Sequence, residues 1–349
     1  MKKNTHGRVL ITGGAGFIGS NMASYWLQKG YNVRIFDNLS RKGAAQNIKW
    51  LQQQDNDGKL EILIHDIRDF NAVRDAASAV DLIFHLAGQV AVTESIKDPR
   101  TDFEVNALGT LNVLESVRLL RSSPIIVYFS TNKVYGSLEH LDVIETDTRY
   151  LFMNIKTGIS EKCPLDFHSP YGCSKGAAEQ YVHDYARIFD LPTIVFRMSC
   201  IYGPRQFGTE DQGWLAHLLI STLLGHPITI YGDGKQVRDV LFISDLLRAV
   251  ELAVNQIDRT AGQVYNIGGG QENEISVWEE FKELLFVLTQ KEVTPTFFNW
   301  RQGDQKIYSS DISKAHRDFG WHPTITAQNG VQLLHEWLKD NIDIIKLGK

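Results

Sequence analysis

RVLITGGAGFIGSN, residues 8–21, opens with five residues suited to a buried strand, breaks on glycine, and resumes as an apolar-rich helical pattern. Gly13, Gly16 and Gly19 give the spacing GxxGxxG directly after the strand. Glycines so placed permit a tight turn, let backbone N–H groups approach a pyrophosphate and allow close helix packing, while the helix N-terminus adds positive potential. A second β-branched run, NVRIF at 32–36, leads into FDNLS, so Asp37 falls roughly 20 residues beyond the glycines, where a carboxylate accepts the hydroxyls of an adenosine ribose. That charge repels a 2′-phosphate and favours NAD over NADP, Arg41 being the nearby cation able to accommodate one. The stretch predicts a dinucleotide-binding βαβ unit.

The same rhythm continues outward. Short apolar runs recur at 60–64 (LEILI), 81–87 (DLIFHLA), 124–129 (PIIVYF) and 193–197 (TIVFR), as expected of parallel strands covered on both faces. Between them lie amphipathic segments such as NALGTLNVLESVRLL at 106–120, where Leu111, Leu114 and Val117 recur at helical spacing. Alternating strand and helix predicts an α/β fold with a doubly wound parallel sheet, which binds ligands beyond the carboxyl ends of its strands. From about residue 198 glycine, proline and aromatic residues punctuate YGPRQFGTEDQGW and YGDGKQVRD, predicting a smaller C-terminal lobe of loops and short helices.

Composition narrows the function. The 349 residues are 43% hydrophobic and 22% charged, enough for a substantial core. Its 36 basic and 41 acidic residues are scattered to a net charge of −5, which presents no basic block to nucleic acid or anionic lipid. No apolar run of about 18 residues occurs and MKKNTHG carries no apolar leader, so a soluble, cytoplasmic protein is expected. Cys163, Cys173 and Cys200 form no CxxC pair and fit free thiols in a reducing compartment; with the histidines dispersed, neither disulfide nor metal is expected.

Two further motifs carry chemistry. In SPYGCSKGAAEQY, Tyr171 and Lys175 stand four apart on one helix face, where an ammonium favours the phenolate and lowers a pKa that starts near ~10. Tyr171 then serves as proton acceptor from a substrate hydroxyl, and Lys175 couples cofactor placement to base activation. In STNKVYG, residues 130–136, a polar cluster ends the strand at 124–129. Thr131 offers a hydroxyl for hydrogen bonding and proton relay, whereas Asn132 and Lys133 supply no carboxylate for acid–base work.

GxxGxxG, Asp37, DIR at 66–68, HLAG at 85–88, NALGT at 106–110, YxxxK and GKQVRDVLF at 234–242 together resemble the extended short-chain dehydrogenase/reductase family, in its NAD-dependent epimerase/dehydratase branch. The resemblance covers nearly the whole chain and implies a Rossmann domain at 1–197, with 238–266 returning to it, and a nucleotide-sugar lobe at 198–237 and 267–349. It implies catalysis by Thr131, Tyr171 and Lys175. For NAD it adds Phe17, Ile18, Asn38, Ser40, Arg41, Asp66, Ile67, Leu86, Ala87, Gly88, Gln89, Asn106 and Ser130 to the glycines and Asp37. For the nucleotide sugar it implies Gln89, Thr131, Asn132, Lys133, Arg205, Gln206, Gln212, Arg238 and Arg301, the arginines suiting phosphate oxygens.

Within the family, 4,6-dehydratases carry Asp and Glu where this chain has Asn132 and Lys133, so dehydration is disfavoured. FDNLSRKGA, HLAGQVAVT, STNKVYG, PLDFHSPYGCSKGAAEQY and RQFGTEDQGW are similar to the branch that inverts C2 of CDP-sugars, of the CDP-paratose to CDP-tyvelose type, in lipopolysaccharide O-antigen biosynthesis. The implied reaction oxidises C2, reorients the 2-keto sugar and reduces its other face, in a homodimer or homotetramer. A 4-epimerase of UDP-sugars would use the same Thr, Tyr and Lys and stays as the alternative. Two departures stand out: Cys200 replaces an Asn common in the family, and extra chain within ETDTRYLFMNIKTGISEKCPLDF, residues 145–167, is expected to help orient the sugar.

Overall fold

The protein is described by a computed structural model covering residues 7–120, 123–301 and 303–347; MKKNTH, part of the stretch read for a leader, lies outside them. Six strands follow the runs expected from sequence: β1 Arg8–Thr12, β2 Asn32–Asp37, β3 Leu60–Ile64, β4 Leu82–His85, β5 Ile125–Thr131 and β6 Thr193–Met198. A seventh, β7 Gln263–Ile267, completes a parallel sheet of order 7-6-5-4-1-2-3. The order of strand addition reverses between β1 and β4, which pair in parallel from Val9 opposite Leu82. That switch point opens the crevice where a doubly wound sheet receives its ligand.

Alternation along the strands sorts side chains onto two faces. Val9, Ile11 and Phe84 join Met22 and Trp26 of helix α1, Phe17–Gln28, in one core. Leu10, Ile83 and Tyr128 join Val113, Leu114 and Val117 of α2, Gly109–Leu120, and Ala178 and Val182 of α3, Ser169–Phe189, in the other. Covering both faces explains why these strands are continuous apolar runs. A short helix, Pro99–Phe103, capped by Asp98 through Thr101 N at 3.0 Å, leads through a π-helical turn at Glu104–Leu108 into α2.

The second part of the chain holds more sheet than expected. Val237–Phe242, expected to return to the first domain, instead pairs antiparallel with Glu274–Ser276 and parallel with Ile307–Tyr308 and Cys200–Tyr202. The helix after it, Ile243–Asn255, does return: Glu251 accepts hydrogen bonds from Tyr25 and Lys29, at α1 and its C-terminal end. The 145–167 stretch contributes the second strand of a hairpin, Val143–Glu145 with Tyr150–Phe152, anchored by the Arg149 fork on Glu280 at 2.5 and 2.6 Å. Among the described residues no helix is long and apolar enough to cross a membrane and no cluster of three metal-ligating side chains occurs.

Candidate active site

The turn from β1 to α1 is built by backbone. Gly13 has φ +71°, and a Cβ there would lie 2.7 Å from Ala87 N at the end of β4. A Cβ on Gly19 would collide with the Gly13 carbonyl, whereas one on Gly16 would meet only that carbonyl, at 3.2 Å. Gly13 and Gly19 thus serve packing, and Gly16 faces the crevice. The first turn of α1 has no side-chain cap, so its N–H groups are free for an anion. Asp37 is fixed by Ala15 N at 3.0 Å and Leu39 N at 2.8 Å; burial raises its pKa, while these two donors and the Arg41 charge oppose the rise. Open turn, uncapped helix and oriented carboxylate fit a dinucleotide.

Around them, Asn38 donates to Asp66 at 3.0 Å and its Oδ1 accepts the Ser40 N–H at 3.1 Å. The Arg68 fork holds Asp66 well below the usual carboxylate range. Ile67 is buried against Gly109. The floor, Leu86 to Gln89, is held by a directed chain. Ala87 N donates to Thr12 Oγ1 at 3.3 Å, Thr12 contacts His85 Nδ1 at 2.7 Å, His85 Nε2 contacts Thr110 Oγ1 at 3.0 Å, and Thr110 donates to the Asn106 carbonyl at 2.6 Å. Those directions require the Nε2–H tautomer of His85, which burial keeps neutral by lowering its pKa to about 3. Asn106 clasps Gln89 from both sides, accepting its N–H and donating to its carbonyl, each at 3.0 Å. The Gln89 side chain turns back onto Ala91.

Thr131 ends β5 and accepts Lys133 N at 3.2 Å as the chain enters a 3-10 turn at Asn132–Tyr135. Tyr171 lies in the first turn of α3 and Lys175 one turn later, both buried. The sequence suggests a phenol made acidic by its lysine; the structure differs. Burial pushes Tyr171 up to about 12, with the Thr131 hydroxyl and Arg41 pulling down and Asp102 adding to the rise. Burial also drives Lys175 down to about 7, opposed by Glu179 and Asp102. Its ammonium donates to the Phe129 carbonyl at 2.7 Å and lies 4.2 Å from the Tyr128 ring centre. Desolvation outweighs their mutual effect.

Beyond Tyr171 a cavity of about 440 Å³ is walled by Ser130, Thr131, Lys133, Gln206, Gln212 and Arg301, and reaches Phe17 and Ile18 of α1. At its far end Asp304 joins two cations, Lys133 Nζ at 3.2 Å and Arg238 Nη2 at 2.7 Å. Together they bring its pKa down to about 2 against burial, while burial lowers that of Lys133. Arg301 stacks on Tyr231 at 4.1 Å and reaches Asp211 at 3.3 Å. Four expected substrate residues do not line this cavity: Gln89, whose side chain turns onto Ala91, Arg238, which pairs with Asp304 behind the wall, Arg205 and Asn132. Arg205 is stacked between Trp50 and Trp337, at 4.3 and 5.5 Å, which claims its guanidinium. Asn132 points towards Gln305 at 3.5 Å, leaving Lys133 to face the cavity.

A family profile described as GDP-mannose 4,6 dehydratase matches residues 10–334. The chain belongs to this family of NAD-dependent epimerases and dehydratases. Among family relatives, it is 46% identical over 337 residues to CDP-paratose 2-epimerase of Salmonella typhi, covering 95% of this chain and 98% of that one. Its fold is similar to UDP-glucuronic acid 4-epimerase from Bacillus cereus solved with UDP-glucuronic acid and NAD (TM-score 0.82, 27% identity, 95% and 99% covered). It is equally similar to a dTDP-glucose 4,6-dehydratase from Streptomyces venezuelae solved with NAD (TM-score 0.83, 29% identity, 98% and 100% covered). Cys200 sits on the cavity wall, its thiol pKa raised by burial. The extra chain within 145–167 lines a neighbouring cavity of about 360 Å³ through Phe152, and that cavity shares Arg301 and Asp304 with the first. Sequence reasoning missed Asp102, Glu179 and Asp304; of these Glu179, inside SPYGCSKGAAEQY, stood within a quoted motif.

Proposed function

We propose that the protein is an NAD-dependent epimerase of a nucleotide sugar that inverts C2 of a CDP-sugar, of the CDP-paratose to CDP-tyvelose type, within lipopolysaccharide O-antigen biosynthesis. The reading is supported by one combination: Thr131 and Tyr171 line a cavity, with Lys175 buried one helical turn behind Tyr171, and the residue after Asn132 on that wall is a lysine rather than a carboxylate, in a chain 46% identical to CDP-paratose 2-epimerase. Residues 1–197 with the returning 243–266 hold the cofactor, and 198–242 with 267–349 hold the sugar nucleotide.

Gly16, the first turn of α1 and Asp37 bind the cofactor through pyrophosphate and ribose, above the floor from Leu86 to Gln89. When bound, NAD accepts the hydride taken from C2 and returns it. Tyr171 takes the proton of the C2 hydroxyl, Thr131 hydrogen-bonds the same oxygen and Lys175 stabilises the phenolate. The 2-keto sugar turns within the cavity while Arg238 and Arg301 hold the diphosphate, so that the other face of C2 receives the returning hydride, and Tyr171 returns the proton to the C2 oxygen. Grip on the nucleotide with freedom for the sugar is what such inversion requires.

The test is incubation with CDP-, UDP-, GDP- and dTDP-sugars and product identification by NMR. Inversion at C2 of a CDP-sugar is expected; inversion at C4 of a UDP-sugar, or release of a 4-keto-6-deoxy sugar, would replace this reading. Exposed Phe103, Leu119, Tyr181, Ile188 and Phe189 around α2 and α3 support a homodimer or homotetramer, which light scattering checks; its expected place is the cytoplasm.

A further inference from the structure

Asp102 is fully buried at the end of the helix Pro99–Phe103 and enters no ion pair among the described residues. Its carboxylate accepts the Ser174 hydroxyl at 2.5 Å and the Asn106 amide at 3.1 Å. Ser174 stands between Tyr171 and Lys175 on α3, and Asn106, in the π-helical turn, is the residue that clasps Gln89 of the cofactor floor. A buried carboxylate without a paired cation is costly, and π-helical turns gather at functional sites.

The groups around it show what the charge acts on. Lys175 and Tyr171 face it from α3 and Tyr128 from β5. Lys175 is also faced by Glu179 on its own helix, by the Tyr128 ring and Phe129 carbonyl of β5, and by the neutral His85 of β4. Glu179 is already committed: Arg197 forks onto it at 2.9 and 2.5 Å and Ser130 donates to it at 2.6 Å. Asp102 is the carboxylate of the pair that no cation claims.

We propose that Asp102 is a positioning residue for the reaction argued above: it ties the catalytic helix to the cofactor floor and is the buried counter-charge that keeps Lys175 an ammonium beside Tyr171. It touches neither substrate nor cofactor and acts through Lys175, Tyr171 and Asn106. The inference rests on the epimerase reading for its purpose, but its physical content is the charge state of Lys175.

The test is carbon-13 NMR titration of the lysine Cε in the full chain, with the Lys175 signal assigned by Lys175→Arg. Asp102→Asn is expected to lower the Lys175 midpoint by about one pH unit, the effect of losing one nearby opposite charge. Asp102→Glu is expected to keep it close to the parent value. Asp102→Ser, smaller and still able to accept from Ser174, carries the same expectation as Asp102→Asn should the latter not fold. In turnover, loss of the charge makes both Lys175 and Tyr171 more acidic, so both limbs of the kcat/KM profile move to lower pH. A Lys175 midpoint unmoved in the neutral variants, or a rate loss at unchanged limbs, overturns the proposal. A lowered midpoint in a protein that epimerises no nucleotide sugar leaves it standing and removes the functional reading instead.

Discussion

The two ends of the cleft are made of different materials. At the cofactor end the shape is backbone: a glycine turn, a helix start without a cap, a carboxylate locked by two N–H groups, and a floor strung on hydrogen bonds from Thr12 to Asn106. At the sugar end the charges are side chains satisfied by one another, Asp304 by Lys133 and Arg238, and Arg301 by Asp211. The first end is preorganised, so binding there demands little rearrangement. The second must exchange internal partners for the ligand, which makes it the adjustable end and the natural place for specificity to change within a shared fold.

That contrast can be broken at four points. Tyr171→Phe stands between the two ends and removes the proton carrier; epimerisation is expected to fall by about 10²–10⁴-fold while NAD released on denaturation stays at the parent amount. Gly19→Ala attacks the backbone end, where the added Cβ meets the Gly13 carbonyl. As much as about 3 kcal/mol of stability in urea unfolding is expected to go, together with retained NAD. Unchanged NAD content in that variant would mean the turn is less rigid than its geometry. Arg238→Ala attacks the side-chain end: KM for the nucleotide sugar is expected to rise roughly 30-fold, equivalent to about 2 kcal/mol, with NAD content intact. The smallest effect is in acid. Asp304 has a folded pKa of about 2, below an ordinary aspartate near ~4, so its contribution to stability is full above that range and is lost as pH falls from about 4 through 2. Asp304→Asn is expected to flatten this part of the stability profile, read as melting temperature against pH.

Legibility in the sequence followed the same divide. Strands buried on both faces are uninterrupted apolar runs, and the glycine turn and YxxxK are local patterns, so six strands and the shared helix of Tyr171 and Lys175 could be placed from residues 8–197 alone. The seventh strand could not. QVYNI carries Gln263 and Asn266, and Asn266 is tolerated in the interior because it accepts the Tyr135 hydroxyl at 2.8 Å and donates to the Ile159 carbonyl at 2.7 Å. Asp102 is a lone aspartate in sequence; its meaning comes from Ser174, brought to it by folding. Arg205 failed for the opposite reason: it stood in a persuasive motif, but stacking between Trp50 and Trp337 claims its guanidinium. The acidity of the phenol was misjudged because a sequence shows which charges are near and hides how much water each has lost.

The seventh strand also sets an order of events. β7 pairs with β6 along its length, from Gln263 opposite Ile194 to Ile267 opposite Met198, and between them the chain runs through Cys200–Tyr202, two long helices and Val237–Phe242. On a ribosome, β6 therefore waits with an open edge until residues 263–267 have emerged. An unpaired edge on an apolar parallel strand is a template for another chain. A nascent chain halted before residue 263 would have the whole glycine turn and the helix of Tyr171 and Lys175 yet remain prone to aggregate, so the enzyme's assembly is timed by a strand far along the chain from its first turn.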